Sequence, residues 1–183
     1  MQPTRLRLPM RAALAIGAAT VLAACTTQSP LRGGAAAAAD LGPTQGNLTH
    51  GTVKFNTVSD GVKVSARISG LKPLQEHGFH VHEKGDCSSP DGTSAGGHFN
   101  PMGQPHGHHD SGARHVGDMP NLKADANGNA EVEFTLKGVE LSTGGAADIL
   151  GKAVIVHANP DDYTSQPAGN AGPRLACGVI NLR

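Results

Sequence analysis

Val62-Lys63-Val64-Ser65-Ala66-Arg67-Ile68 alternates apolar and polar residues without a break. Successive side chains leave opposite faces of a strand, so Val62, Val64, Ala66 and Ile68 share one face and Lys63, Ser65 and Arg67 the other. The stretch is expected to be a half-buried strand. Just upstream, Val53-Lys54-Phe55-Asn56-Thr57 repeats the pattern, and Ser59-Asp60-Gly61 between them supplies the turn of a hairpin. Further strands are expected at Gly78 to His82, at Ala130 to Leu136 after the turn residues Asp125-Ala126-Asn127-Gly128-Asn129, at Ala153 to His157 and at Cys177 to Leu182. No convincing amphipathic helix can be drawn after residue 46. Short strands with Gly-rich connections make an all-β protein, an antiparallel sandwich or flattened barrel. Two connections, roughly 83 to 120 and 158 to 174, are too long for tight turns, and loops of that length are usually functional.

Ahead of this domain, residues 1–25 have the form of an export signal. Arg5, Arg7 and Arg11 make a basic start, Ala12 to Ala24 an apolar run too short to span a bilayer, and Leu22-Ala23-Ala24-Cys25 resembles a lipobox whose cysteine receives lipid. An ordinary signal peptide with an incidental cysteine is the alternative. Residues 26–46, rich in Ala, Gly, Ser, Thr and Pro, are expected to be a flexible linker, and residues 47–183 the domain. Export would place the chain in the periplasm or cell envelope, touching a membrane only through a lipid anchor at Cys25. If Cys25 carries lipid, Cys87 and Cys177 remain as a pair in an oxidising compartment, and a disulfide is expected. From residue 26 onward, 12 basic side chains face 15 acidic ones, and aromatics are 3% of the chain. That balance argues against a nucleic-acid partner.

Histidine is the unusual residue: nine of the ten fall between His77 and His157. His80 and His82, one residue apart in an expected strand, send both imidazoles from one face while Phe79 and Val81 point the other way. Several imidazoles converging suit copper as well as zinc. The first long loop adds His98, His106, His115 and Asp118, and three histidines with a carboxylate are a closed tetrahedral set for Zn²⁺. His157, ending a strand, is available to the first group.

Four segments carry a family resemblance: Gly78-Phe79-His80-Val81-His82-Glu83, Gly97-His98-Phe99-Asn100-Pro101, Arg114-His115-Val116-Gly117-Asp118 and Arg174-Leu175-Ala176-Cys177-Gly178-Val179-Ile180. From about residue 48 to the C-terminus the chain resembles the copper/zinc superoxide dismutases, in their exported bacterial form. The resemblance implies a Greek-key β-sandwich. It implies one copper per subunit, cycling between Cu(II) and Cu(I), on His80, His82, His98 and His157. It implies one Zn(II) per subunit on His98, His106, His115 and Asp118, with His98 bridging the two metals. Asp161 would hydrogen-bond His80 and His106, fixing their rings. Its bland alternative, in Asn159-Pro160-Asp161-Asp162, is a turn aspartate.

The implied reaction turns two superoxide ions into dioxygen and hydrogen peroxide, with His98 taking up and returning a proton and Arg174 standing as a fixed cation beside the copper. All four copper ligands, all four zinc ligands (seven residues, His98 being shared) and Arg174 are present, which favours an enzyme over a non-enzymatic copper-binding or copper-delivery protein on the same fold. Residues 163–173 carry no charge, where eukaryotic members have a charged steering loop. Steering would then rest on Arg174, the metals, and Lys84 or another lysine. His108 and His109 fit no ligand position of the family and are expected to be solvent-exposed. A homodimer is compatible with the family, but no stretch identifies an interface.

Overall fold

In a computed structural model of the chain, residues 34–183 are described. The strands are β1 (Ala36–Pro43), β2 (His50–Val58), β3 (Gly61–Ser69), β4 (Glu76–His77), β5 (Phe79–His82), β6 (Leu122–Lys123), β7 (Ala130–Lys137), β8 (Ala153–His157), β9 (Arg174–Val179) and β10 (Asn181–Leu182). All strand pairs are antiparallel. The main sheet runs β5-β8-β9-β1-β2-β3-β7, with β10 also on β1, and β4 pairs β6 in a small ribbon. The chain crosses from β3 to β5 and from β7 to β8, between the two ends of this order. Such crossings exclude a simple meander and give the expected Greek-key sandwich.

The alternating segments behave as their patterns require. In β3, Val62, Val64, Ala66 and Ile68 are buried, and in β2 Val53 and Phe55 are buried while Lys54 and Asn56 face out. These side chains share one core with Phe79 and Val81 of β5 and with Val154 and Val156 of β8. Strands from both ends of the order thus meet over a single apolar cluster, so the sheet is curled into a half-barrel. Each fully buried Val, Ile or Phe contributes about 1.5–3 kcal/mol.

The opposite face of β8 is buried too. Ala153 and Ile155 pack with Ala95, Cys177 and the partly buried Cys87. That second face is where the long loops, residues 83–121 and 158–173, lie.

One boundary differs from the expectation. The linker foreseen over residues 26–46 is partly strand: β1 covers Ala36–Pro43, pairs β2 through Ala36↔Asn56 to Leu41↔Gly51, and buries Ala37, Ala38, Ala39 and Leu41. Alanines on both faces give no alternation to detect, yet their small size suits a strand pressed between β2 on one side and β9 and β10 on the other. Cys25 and the rest of the expected export signal lie outside the described residues.

Candidate metal centre

β5 and β8 aim the first set of imidazoles. Their register pairs His80 with Ile155 and His82 with Ala153, and directly paired residues share a face. His80 and His82 therefore leave the sheet on the loop side, and His157, two residues beyond Ile155, follows them past a shift in register between Val156 and His157. His98 comes from the first long loop, which is fastened to the free edge of β5. Phe99 N–H donates to the Val81 carbonyl at 2.8 Å, Val81 N–H to Gly117 at 2.9 Å, and Gly117 N–H to Phe99 at 2.9 Å. Gly117 is obligatory there, because a Cβ would run into the Val81 carbonyl oxygen.

His80, His82, His98 and His157 are all buried, and each offers a nitrogen within 4.8 Å of the others. Carbonyl and carboxylate oxygens only accept, so the ring nitrogens facing them must donate. His80 Nε2 donates to Asp161 Oδ2 at 2.8 Å, His82 Nδ1 to the Gly96 carbonyl at 2.9 Å and His157 Nδ1 to the Gly172 carbonyl at 3.0 Å. Each ring is thereby fixed in the tautomer whose other nitrogen carries a lone pair. His80 Nδ1 and His98 Nε2 are buried without a hydrogen-bond partner, and His82 Nε2 lies 3.3 Å from His157 Nε2.

A second set adjoins the first. Asp118 Oδ1 lies 2.9 Å from His98 Nδ1, 3.1 Å from His106 Nδ1 and 3.3 Å from His115 Nδ1, and the last nitrogen is 3.3 Å from His98 Nδ1. Ligands about 2.0–2.1 Å from a tetrahedral zinc stand roughly 3.3 Å apart, so this set is spaced for such an ion. The other Asp118 oxygen accepts the backbone N–H groups of Gly107 and His115. His98 belongs to both sets, one ring nitrogen in each.

Asp161 links the sets, with Oδ2 on His80 and Oδ1 on His106 Nε2 at 2.9 Å. The site thus fits two cations: unpartnered buried nitrogens converge in the first set, and the second has the donor types and spacing of a tetrahedral zinc site once the ion takes the place of the protons between its rings and Asp118.

The electrostatics follow from burial and neighbours. Burial, and then repulsion from His80, pushes His157 down to about 3. Burial also lowers His98 to about 4 against the opposing pull of Asp118, and lowers His80 and, with help from His98, His82. These rings are neutral at physiological pH and free to bind a metal. His106 goes the other way: burial opposes its charge, but Asp118 and Asp161 on either side raise it to about 9.

An open pocket of about 600 Å³ reaches His82, His98, His157 and Arg174. Arg174, at the start of β9, donates from its two terminal nitrogens to the Gly92 and Gly96 carbonyls, each at 2.6 Å. Both belong to the loop that the Cys87–Cys177 disulfide ties to β9, with Cα atoms 5.7 Å apart. The disulfide is consistent with an exported protein.

Several positioning residues carried no signal in the sequence. Gln166 accepts the His106 N–H at 2.8 Å and donates to the His106 carbonyl at 3.0 Å, clamping one long loop to the other. Asn121 accepts the Asp161 N–H and donates to its carbonyl, both at 2.9 Å. His77, buried, donates from Nδ1 to the His157 carbonyl at 2.9 Å. His108 and His109 are half-buried instead of solvent-exposed, His108 edge-on to Tyr163 with ring centroids 4.7 Å apart.

A curled β-sandwich whose loops bring together two sets of metal donors sharing one imidazole is the frame of a two-metal protein. The chain belongs to the copper/zinc superoxide dismutase family, whose model it matches over residues 49–180, and its enzyme class is that of the family. It is 50% identical over 137 residues to a Cu-Zn superoxide dismutase of Paramecium bursaria Chlorella virus 1, covering 71% of each chain. It is 42% identical to Superoxide dismutase [Cu-Zn] 2 of Aquifex aeolicus, over 78% of this chain and 84% of that protein. Among solved structures it resembles a SOD-like protein from Bacillus subtilis, with a TM-score of 0.70 and 35% identity over 77% of this chain and 95% of that one.

Proposed function

We propose that the chain dismutates superoxide, two ions giving dioxygen and hydrogen peroxide, at a copper held by His80, His82, His98 and His157 beside a zinc held by His98, His106, His115 and Asp118. The observation that carries this is the double membership of His98, with Nδ1 among the zinc donors and Nε2 unpartnered among the copper donors. Copper cycling between Cu(II) and Cu(I) would supply and accept the electron, while zinc keeps one oxidation state.

The protein's own groups do the rest. His98 is the ring that belongs to both sets, and its Nε2, buried among the copper donors without a hydrogen-bond partner, is the nitrogen suited to take and release a proton. With Nδ1 committed to zinc, Nε2 would be the ring's remaining position for a proton. Arg174, fixed by its two carbonyl bonds, presents a permanent cation to an arriving anion. Asp161 holds His80 and His106 in orientation, and the Asp118 carboxylate closes the zinc set.

The protein would act outside the cytoplasm, in the periplasm or cell envelope, lipid-anchored at Cys25 and protecting that compartment from superoxide. A copper-binding or copper-delivery role without turnover is the second reading, favoured by the likeness to a solved structure titled only as SOD-like. Metal analysis of the purified protein alongside a superoxide-consumption assay separates the two. One copper and one zinc per chain with turnover supports the dismutase, and bound copper without turnover selects the second reading. Fatty-acid labelling of wild type against Cys25→Ser tests the anchor.

A further inference from the structure

The first long loop carries a third group of donors outside the two buried sets. His108, His109 and Asp110 each offer an atom within 4.8 Å of the others. The two ring centroids are 4.2 Å apart at a 46° tilt. Neither ring is a loose surface side chain. His108 meets Tyr163 of the second long loop edge-on, and the His109 centroid is 6.1 Å from that of Phe134 in β7.

Their nitrogens nevertheless remain usable. His109 Nδ1 is buried and has no hydrogen-bond partner, while Nε2 of the same ring lies 3.3 Å from the Asp110 carboxylate. His108 Nδ1 points its lone pair to the Asp110 side, where it is engaged only by one long hydrogen bond, from the Asp110 N–H at 3.2 Å, that an ion would displace. Packing against Tyr163 and Phe134 explains why rings stand at these positions. It does not explain two adjacent imidazoles with a carboxylate 3.3 Å from one of them.

We propose that His108, His109 and Asp110 form a third metal site, open to solvent on the Asp110 side, that takes Zn(II) or Cu(II) with water completing the coordination. Two imidazoles and one carboxylate suit a borderline divalent ion and offer too few oxygens for calcium. A site with water ligands exchanges its ion more readily than a closed cage. It also lies in the chain between His106 and His115 of the buried set, so an ion captured there is held beside the loop that must close around zinc.

The test is equilibrium dialysis of the purified, metal-loaded protein against Zn(II) alone, with metal content per chain read by mass spectrometry. Wild type is expected to hold one more equivalent than the double variant His108→Gln, His109→Gln, and a mild chelator should strip that equivalent first. The readout is the difference between the two proteins, so it holds whatever the buried sets contain and whether or not the protein turns over superoxide. Equal metal content in both proteins overturns the proposal. Should the double variant also lose its buried metal, Asp110→Asn decides, because Asp110 is exposed. A several-fold weaker extra equivalent supports the site, and unchanged affinity overturns it.

Discussion

Asp161 shows how one side chain can serve both metal sets. Its two oxygens take one N–H from each set, from His80 and from His106, and its own backbone is held by Asn121. Asp161→Ala leaves two buried ring nitrogens without acceptors and frees both rings to turn. Outer partners of this kind are worth about 10–100-fold in metal affinity, and a loss of that size is expected for both metals in chelator competition. His106 gives a separate prediction in pH. In the metal-free protein its ring, raised to about 9 by Asp118 and Asp161 against the effect of burial, carries a proton at neutral pH. Zinc must displace that proton, so zinc affinity should climb about tenfold per pH unit from 7 towards 9 and then level. The rings of His98 and His157, held near 4 and 3 by burial, compete for protons only in acid. Zinc affinity flat between pH 7 and 9, measured with a buffered zinc indicator, would refute this account of His106.

At the scale of the element, the histidines are placed by strands and by a loop laced to a strand edge. The His80/His82 pair was legible in the sequence because a strand has a period of two. So were β2 and β3, whose alternation survives in their burial. β1 was not, because Ala36 to Ala39 offer neither contrast between faces nor strong strand preference. The grip of Gln166 on His106 was equally hidden: its partners are backbone atoms 60 residues away, and no spacing announces them. The disulfide joins an element to a loop in the same way. It closes a separation of 90 residues, for which loop-closure entropy gives on the order of 4–5 kcal/mol. Replacing Cys87 and Cys177 together by Ser should lower the unfolding free energy by a few kcal/mol in denaturant titrations. It should also free the segment carrying Gly92 and Gly96, seen as faster amide exchange there. Unchanged exchange would mean that the hydrogen bonds to this segment, from Arg174, His82 and the Gln45, Glu83 and Lys84 backbone, hold the loop without the disulfide.

Across the whole molecule, net charge gives the proposed substrate no general attraction. The chain carries 15 basic and 15 acidic side chains, so attraction of an anion must be local. Residues 163–173 of the second long loop contribute no charge, while Arg174 lies in the same pocket as His82, His98 and His157. On the other side of His98, Lys84 and Lys152 border a separate shallow pocket. Lys152 is occupied there, donating to the Glu83 carbonyl at 3.1 Å and lying 4.9 Å from the Phe99 ring centroid. A single fixed cation attracts across about 30 Å at 0.01 M salt but only about 8 Å at 0.15 M. Superoxide consumption by wild type should therefore slow as salt is added. Arg174→Ala should lower the second-order rate at low salt by about tenfold or more and remove most of its salt dependence. Arg174→Lys keeps the charge but cannot bond the Gly92 and Gly96 carbonyls in the same fork, so it should retain the salt dependence at a reduced rate. Stopped-flow rates across this salt range decide the matter, and a salt dependence unchanged in Arg174→Ala would move the steering charge to Lys84 and Lys152.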